Sequence, residues 1–286
     1  MNEAATPAQR LLRVLVTVGP GGLWLLLFVL LPTLLVLLAS FLSRGPYGEL
    51  QGPLTLKNYA RLLEAPYLEA FAESLFVGGL ATLLSALLGY PLAFHIARHP
   101  RRDLLLFLLL LPFFTNFLIR VYAWLILLQR EGLLNALLQA FGLGPFAFYP
   151  SFFAVLLATV YTFLPFFVLP VYASVERIDW QLLEAAYDLG ARPVRAFLHA
   201  VLPQTYPGLF AGSVLVFIPA MGTFVVADLL GAGRVVLIGN LIQQQFGLSR
   251  DWAFGAALSV FLMGFVLLAL YLYARTQGER GLEELV

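Results

Sequence analysis

The residues able to do chemistry in this chain are few, and most stand close together. Between two long apolar runs, residues 184–203 read EAAYDLGARPVRAFLHAVLP. The stretch holds Glu184, Asp188, Arg192, Arg195 and His199, punctuated by Gly190, Pro193 and Pro203. Elsewhere Glu73, Arg120 and Asp228 are ionisable groups within or at the ends of apolar runs, and intramembrane charges mark solute paths by default. The chain has no cysteine, which excludes disulfides, thiolate metal sites and cysteine nucleophiles. His95, His99 and His199 lack metal-ligand spacing and have no nucleophile motif beside them. A G-x-x-x-x-G-K-[ST] phosphate loop is missing, so ATP is not bound in that way. A membrane enzyme acting on lipid would need such a constellation. The chain therefore reads as a non-enzyme, with no cofactor or metal of its own.

These groups are positioned by apolar helices. Of 286 residues, 61% are hydrophobic and 12% charged, with mean hydropathy +0.88; a soluble domain carries about 25% charge. An integral membrane protein follows. The net charge of +1 argues against nucleic acid, whose partners carry a concentrated basic face. About 20 apolar residues cross a bilayer, and six segments qualify: 23–43, 72–97, 104–129, 151–175, 208–230 and 253–274. The first is read as a retained span, because its apolar run is long for a signal peptide. The expected architecture is all-α: a tail over 1–22, a six-helix domain over 23–274 with a hairpin at 176–207, and a tail over 275–286.

Orientation follows from arginine. The link 98–103, RHPRRD, is short and basic, and such loops stay in the cytoplasm. With it inside, Arg10, Arg13, Arg177, Arg192, Arg195, Arg275 and Arg280 also fall inside. Arg44, Lys57, Arg61, Arg130, Arg234 and Arg250 fall outside. Both termini and the 184–203 stretch are then cytoplasmic. Tyr47, Tyr59, Tyr67, Tyr149 and Trp252 read as interfacial aromatics of the outer loops.

The stretch itself predicts a helix, an elbow and a second helix. Asp179 can cap a helix starting at Trp180. Gly190 suits the left-handed C′ position, Pro193 suits a first turn, and the second helix is expected to stop before Pro203. Leu182, Leu183, Ala186 and Tyr187 make one apolar stripe. Val194, Phe197, Leu198, Val201 and Leu202 make another, with Arg192, Arg195 and His199 opposite. Such a hairpin could lie on the membrane, pack on its own spans, or sit in a partner's groove.

The spacing Glu184-Ala185-Ala186, then Gly190, then Leu202-Pro203 resembles the EAA signature of importer-type ABC transporter permeases. Ala200 stands where that family usually has Ile. Residues 87–98, 112–135 and 215–259 are similar to the spermidine/putrescine permeases of the PotB type. The resemblance implies a MetI-like fold in a bacterial inner membrane. It implies a second homologous permease and two ATPase subunits that bind ATP and Mg. It also implies an extracytoplasmic solute-binding protein, and a polyamine as cargo. The hairpin would be the coupling element pushed by the ATPases. Other cargoes carried by EAA-type importers are iron, thiamine, opines and amino-acid derivatives. A passive channel would leave the hairpin without a purpose.

A polycation needs carboxylates and aromatic faces along its path, each cation–π contact worth about 0.5–2 kcal/mol. Asp228 and Glu73 are the acidic candidates. Trp124, Tyr122 and Tyr161 are the candidate faces. Pro219 and Gly222 are expected to interrupt span 5, and Pro165 and Pro170 span 4, as broken helices flank transporter sites. Arg120 would repel a polyamine, so a structural role is expected, paired with Asp228 or with carbonyls freed by a kink.

Overall fold

The computed structural model describes residues 16–17 and 19–277. Most of the N-terminal tail, with Arg10 and Arg13, and the end of the C-terminal tail, with Arg280, lie outside the described residues. The helices are α1 (Gly19–Ser40), α2 (Lys57–Arg61), α3 (Ala65–Arg98), α4 (Arg102–Leu110), α5 (Phe117–Leu128), α6 (Leu133–Ala140), α7 (Phe152–Glu176), α8 (Trp180–Asp188), α9 (Pro193–Gly222), α10 (Ile238–Phe246) and α11 (Trp252–Gln277). Five of them, α1, α3, α7, α9 and α11, are long and apolar enough to cross a membrane. The segments Arg102–Phe114 and Phe117–Ala140 supply a sixth crossing if taken together, but they meet at 90°.

That bend is the first departure from expectation. The span over 104–129 is not one helix. A 3-10 turn at Leu111–Phe114 follows α4, Thr115 is extended (ψ 147°), and Asn116 restarts the chain by accepting from Leu118 N at 2.8 Å. Pro112 and a competent N-cap residue lie in one apolar run, and hydropathy registers neither. The span expected over 151–175 is α7 to within one residue at each end, whereas α3, expected over 72–97, begins seven residues earlier, at Ala65. The first crossing starts earlier than expected, at Gly19 in place of residue 23.

The second departure concerns proline. The helix beginning at Pro193 does not stop before Pro203. It passes through a π-turn at Phe197–Val201 and continues to Gly222. A π-turn shifts the hydrogen-bond register, so the N–H that proline lacks falls where the regular ladder is already interrupted. Pro165, Pro170 and Pro219 likewise lie inside unbroken helices. Span 5 breaks four residues after Pro219, at Thr223 (ψ 125°), so it ends at Gly222 and not near residue 230.

The chain divides into two compact units: Met1–Glu64 with Ile242–Leu270, and Ala65–Leu241 with Tyr271–Val286. In the first, Asn58 Nδ2 donates to the carbonyls of Ser40 and Leu42 at 2.9 and 2.8 Å, fastening α2 to the end of α1. Arg61 pairs with the buried Asp251 at 2.8 Å and stacks 3.9 Å from the Phe254 ring. A two-residue antiparallel ladder joins Ser43–Arg44 to Leu50–Gln51.

In the second unit α3, α7 and α9 form the core. Van der Waals fit, rather than apolar burial, drives helix association in lipid, so small residues sit at the crossings. Gly208 and Gly212, one turn apart on α9, bring it against the backbone of α7. A Cβ on Gly208 would lie 2.5 Å from the Pro170 carbonyl oxygen, and one on Gly212 would lie 2.9 Å from that of Phe167. On α3, a Cβ on Gly89 would lie 2.8 Å from the ring of the same Phe167.

Candidate functional sites: an exposed hairpin and a broken span

The hairpin is built as its sequence implies. Asp179 Oδ1 accepts from Gln181 N at 2.9 Å and caps α8. At the other end Gly190 has φ +80°, where a side chain would be strained. Its N–H donates to Tyr187 O at 2.8 Å, while Ala191 N donates to Ala186 O at 3.0 Å. Those two bonds are a Schellman closure. Ala186 therefore supplies the carbonyl that locks the elbow, and Pro193 opens the next helix. Gln204, which the sequence reading passed over, ties the arms together. Its Oε1 accepts from Asp179 N at 2.9 Å and its Nε2 donates to Ala200 O at 2.6 Å.

Only one side of the hairpin packs on the chain. Trp180, Leu183 and Phe197 join the core of Phe167, Val171, Val175 and Val201. The Arg98 guanidinium lies 4.5 Å above the Trp180 ring, and Arg102 pairs with Glu176 at 2.7 Å. The basic 98–103 link and the hairpin therefore share one end of this unit. The other side faces outward. No residue of α8 is buried, Leu189 is 89% and Val194 73% exposed, and Glu184 and Ala185 are exposed. Leu202 is half-buried and Pro203 exposed. Arg192, Val194, Arg195, Leu198 and His199 line a concavity of about 610 Å³ beside Gly190. Each apolar stripe is thus split. Leu183, Phe197 and Val201 turn inward; Leu182, Tyr187, Val194 and Leu198 present an apolar surface outside the spans.

At the far end, the break after Gly222 is held by a polar relay. Asn240 Nδ2 donates to Asp228 Oδ1 and, at 3.0 Å, to Phe224 O; Asn240 Oδ1 accepts from Leu237 N at 2.9 Å. Asp228 stays exposed at the edge of a π-turn, Ala227–Gly231. Glu73 and Ser74 on α3 hold the following loop: Glu73 Oε2 accepts from Val236 N at 3.3 Å and Ser74 Oγ from Ile238 N at 2.7 Å. Glu73 is thus engaged by backbone, whereas Asp228 keeps an open side. Gly239 abuts the carbonyl of Gly222 so closely that a Cβ there would collide with it. Gly222 itself has open space about its own Cα.

The aromatic candidates separate. Trp124 and Tyr161 meet edge to face at 5.4 Å. Tyr122 is half exposed and sits two positions from Trp124, so it points to a different side of α5. Arg120 forms no ion pair among the described residues and does not meet Asp228. Its guanidinium stands 5.3 and 5.9 Å from the Phe113 and Phe117 rings, and its Nε is buried without a hydrogen-bond partner. No group of three or more His, Asp or Glu among the described residues could hold a metal ion.

A bundle of long apolar helices with one crossing bent by 90° is that of a polytopic membrane protein. The chain belongs to the binding-protein-dependent transport system inner membrane components, whose family model matches residues 80–277. It is a multi-pass inner-membrane permease and not an enzyme. The spermidine/putrescine transport system permease protein PotB of Escherichia coli K12 is 46% identical over 266 residues, covering 90% of this chain and 96% of that protein. PotB of Haemophilus influenzae is 44% identical over 256 residues, covering 88% and 90%. Among solved structures, a chain of a bacterial alginate ABC transporter, in complex with alginate pentasaccharide-bound periplasmic protein, superposes with TM-score 0.69. It covers 93% of this chain and 96% of that one at 18% identity, a likeness of fold alone.

Proposed function

We propose that this chain is the permease half of an ATP-driven polyamine importer, carrying spermidine or putrescine. The observation that carries the reading is the 44–46% identity to two spermidine/putrescine permeases along nearly the whole chain. The hairpin, with Glu184, Ala185, Ala186, Gly190, Leu202 and Pro203, is the part on which an ATPase subunit acts. Two such ATPases carry ATP and Mg, a second permease completes the path, and a solute-binding protein delivers the cargo from outside. Asp228 meets an arriving ammonium group; Trp124 and Tyr161 offer ring faces further on, and Tyr122 lies off that line. Glu73, Pro219 and Gly222 shape the path through the loop and helix end they hold.

The test is uptake of labelled spermidine and putrescine by vesicles holding the whole complex, with other cations as competitors. Asp228→Asn can keep its bond from Asn240 while losing its charge. A partly solvated contact is worth about 1 kcal/mol, so the half-saturating polyamine concentration is expected to rise about fivefold. Uptake of neither polyamine by wild-type vesicles would end the cargo assignment, and unchanged saturation in the variant would end the role of Asp228.

The hairpin end is placed in the cytoplasm, with both termini. Arg101→Cys is expected to be shielded from an impermeant thiol reagent applied outside intact cells. Leu54→Cys, 70% exposed, is expected to react. The opposite labelling pattern reverses the orientation.

A further inference from the structure

The segment after Arg130 is expected as an outer loop from its sequence, yet it is built for a place with little water. From Gly132 to Val175 the chain has no Asp, Glu, Lys, Arg or His. The helix α6 lies at the start of that stretch. Its inward side is Leu134, Leu138 and the fully buried Asn135. Its outward side carries Leu133, Leu137 and Phe141 at i, i+4 and i+8, all exposed, Phe141 by 81%. Leu143 and Phe146, in the loop that follows, are exposed as well.

Contacts with α7 give the depth. Phe113 meets Phe166 at 5.1 Å, Trp124 meets Tyr161 at 5.4 Å and, beyond α6, Phe148 meets Phe153 at 5.9 Å. The helix α5 therefore climbs along α7 toward Phe152, and Leu134 of α6 joins the core that holds Ala154, Val155 and Ala158. With 25 residues, α7 is about 37 Å long, against a hydrocarbon core of about 30 Å. Thus α6 stands where that core gives way to headgroups, at the end opposite the hairpin. Backbone polar groups in such a place must be satisfied from within, and the segment does so. Asn135 Nδ2 donates to Gln129 O and Phe146 O at 3.2 and 2.9 Å, and its Oδ1 accepts from Phe146 N at 2.9 Å. Gly142, at φ +78°, and Leu143 donate their N–H groups to Gln139 O and Leu138 O, both at 2.9 Å, which closes the helix end.

Neither water nor protein suits this surface. Water would leave the apolar stripe bare. A protein interface carries a polar rim and about one hydrogen bond per 100–200 Å². From Gly132 to Ala147 the polar side chains are Asn135, already engaged, and Gln139 alone. Lipid requires neither charge nor hydrogen bonds.

We infer that α6 and the loop to Ala147 lie in the membrane interface at the end opposite the hairpin, with Leu133, Leu137 and Phe141 set about 5–10 Å into the boundary between headgroups and acyl chains. The occupant of this face is lipid, and the segment is closed to a soluble partner. The inference is independent of the cargo.

The chain has no cysteine of its own, so Leu137→Cys and Phe141→Cys each carry a nitrobenzoxadiazole dye at one defined point. The complete complex is purified through this chain and placed in phosphatidylcholine vesicles, with the unsubstituted complex as blank and Leu54→Cys, 70% exposed, as the aqueous control. Phosphatidylcholine with a doxyl group high on its acyl chain is expected to cut the emission at both test positions at least by half. Iodide, present on both sides, is expected to quench there at least fivefold less than at the control. Iodide quenching comparable with the control at either position places the helix in water and overturns the inference. Quenching by neither agent means that protein covers the face, and overturns it equally.

Discussion

Importer complexes carrying Glu184→Lys are expected to assemble and insert normally yet lose solute-stimulated ATP hydrolysis. Glu184 is exposed on α8 and has no hydrogen-bond or ion-pair partner among the described residues, so the fold does not depend on it. Only a protein seated on the outer side of the hairpin experiences its charge. Reversal there turns a favourable approach into a repulsive one, and like charges brought together cost several kcal/mol. Gly190→Pro attacks the same device through the backbone. Proline requires φ near −65°, whereas Gly190 sits at +80° and donates its N–H to Tyr187 O. The elbow must open, and the angle between the arms is lost. In both variants hydrolysis is expected to fall at least tenfold, to the rate seen without solute-binding protein. Glu184→Gln should keep most of it. Wild-type stimulation in both Glu184→Lys and Gly190→Pro would remove the hairpin from the coupling route.

Gly208→Leu is expected to prevent a stable bundle altogether. The α7–α9 crossing has no room even for one methyl group, since a Cβ there would sit 2.5 Å from the Pro170 carbonyl. Backbone on one side and the Ser174 side chain on the other leave no flexible neighbour to give way. Adding one methyl to a close-packed site costs about 1–3 kcal/mol; an isobutyl group exceeds what the remaining contacts can offset. The measurement is recovery of detergent-stable chain relative to wild type. Gly222→Ala is the control, because that site has open space, and its recovery should be unchanged. Equal recovery of Gly208→Leu and Gly222→Ala would mean the crossing is looser than drawn.

Local chemistry at the hairpin was legible residue by residue. Asp179, Gly190 and Pro193 each have one physical use in a helix boundary, and each performs it. That the 98–103 link and the hairpin share one end was also readable, from arginine alone; their contacts through Arg98 and Arg102 were not. The breaks were not. Hydropathy sums side chains and is blind to backbone, so Thr115 and Asn116 disappeared inside an apolar run. Proline misled in the opposite sense. Pro203 and Pro219 were read as stops, but a π-turn absorbs the first and the packed helix carries the second. At the true end, the Gly222 carbonyl is abutted by Gly239, further along the chain. No local signal reports that contact. Gly208 and Gly212 had a signal, two small residues four apart in a span, which went unread beside the prolines. Asp228 was found as a candidate, but its partner is Asn240 rather than Arg120, and a hydrogen bond from the start of α10 back to a π-turn leaves no periodic trace.

The passage of α9 through Pro203 has a consequence for how tightly fuel use and transport are geared. From Pro193 to Gly222 the helix runs 30 residues, about 45 Å, from the elbow of the hairpin to the break in span 5. On the proposed coupling, input and output are opposite ends of one shaft. A 10° swing at the elbow displaces the far end by about 8 Å over that length, comparable with the width of an ammonium group and its hydration shell. Two separate helices joined at Pro203 would act as a clutch, able to slip while ATP was consumed. One continuous helix resists slipping, and it yields most readily where its regular ladder is interrupted, at the π-turn Phe197–Val201 and at Pro203, Pro207 and Pro219. On that coupling, the stiffness of these few points limits how often a stroke at the elbow is lost before it reaches the break in span 5.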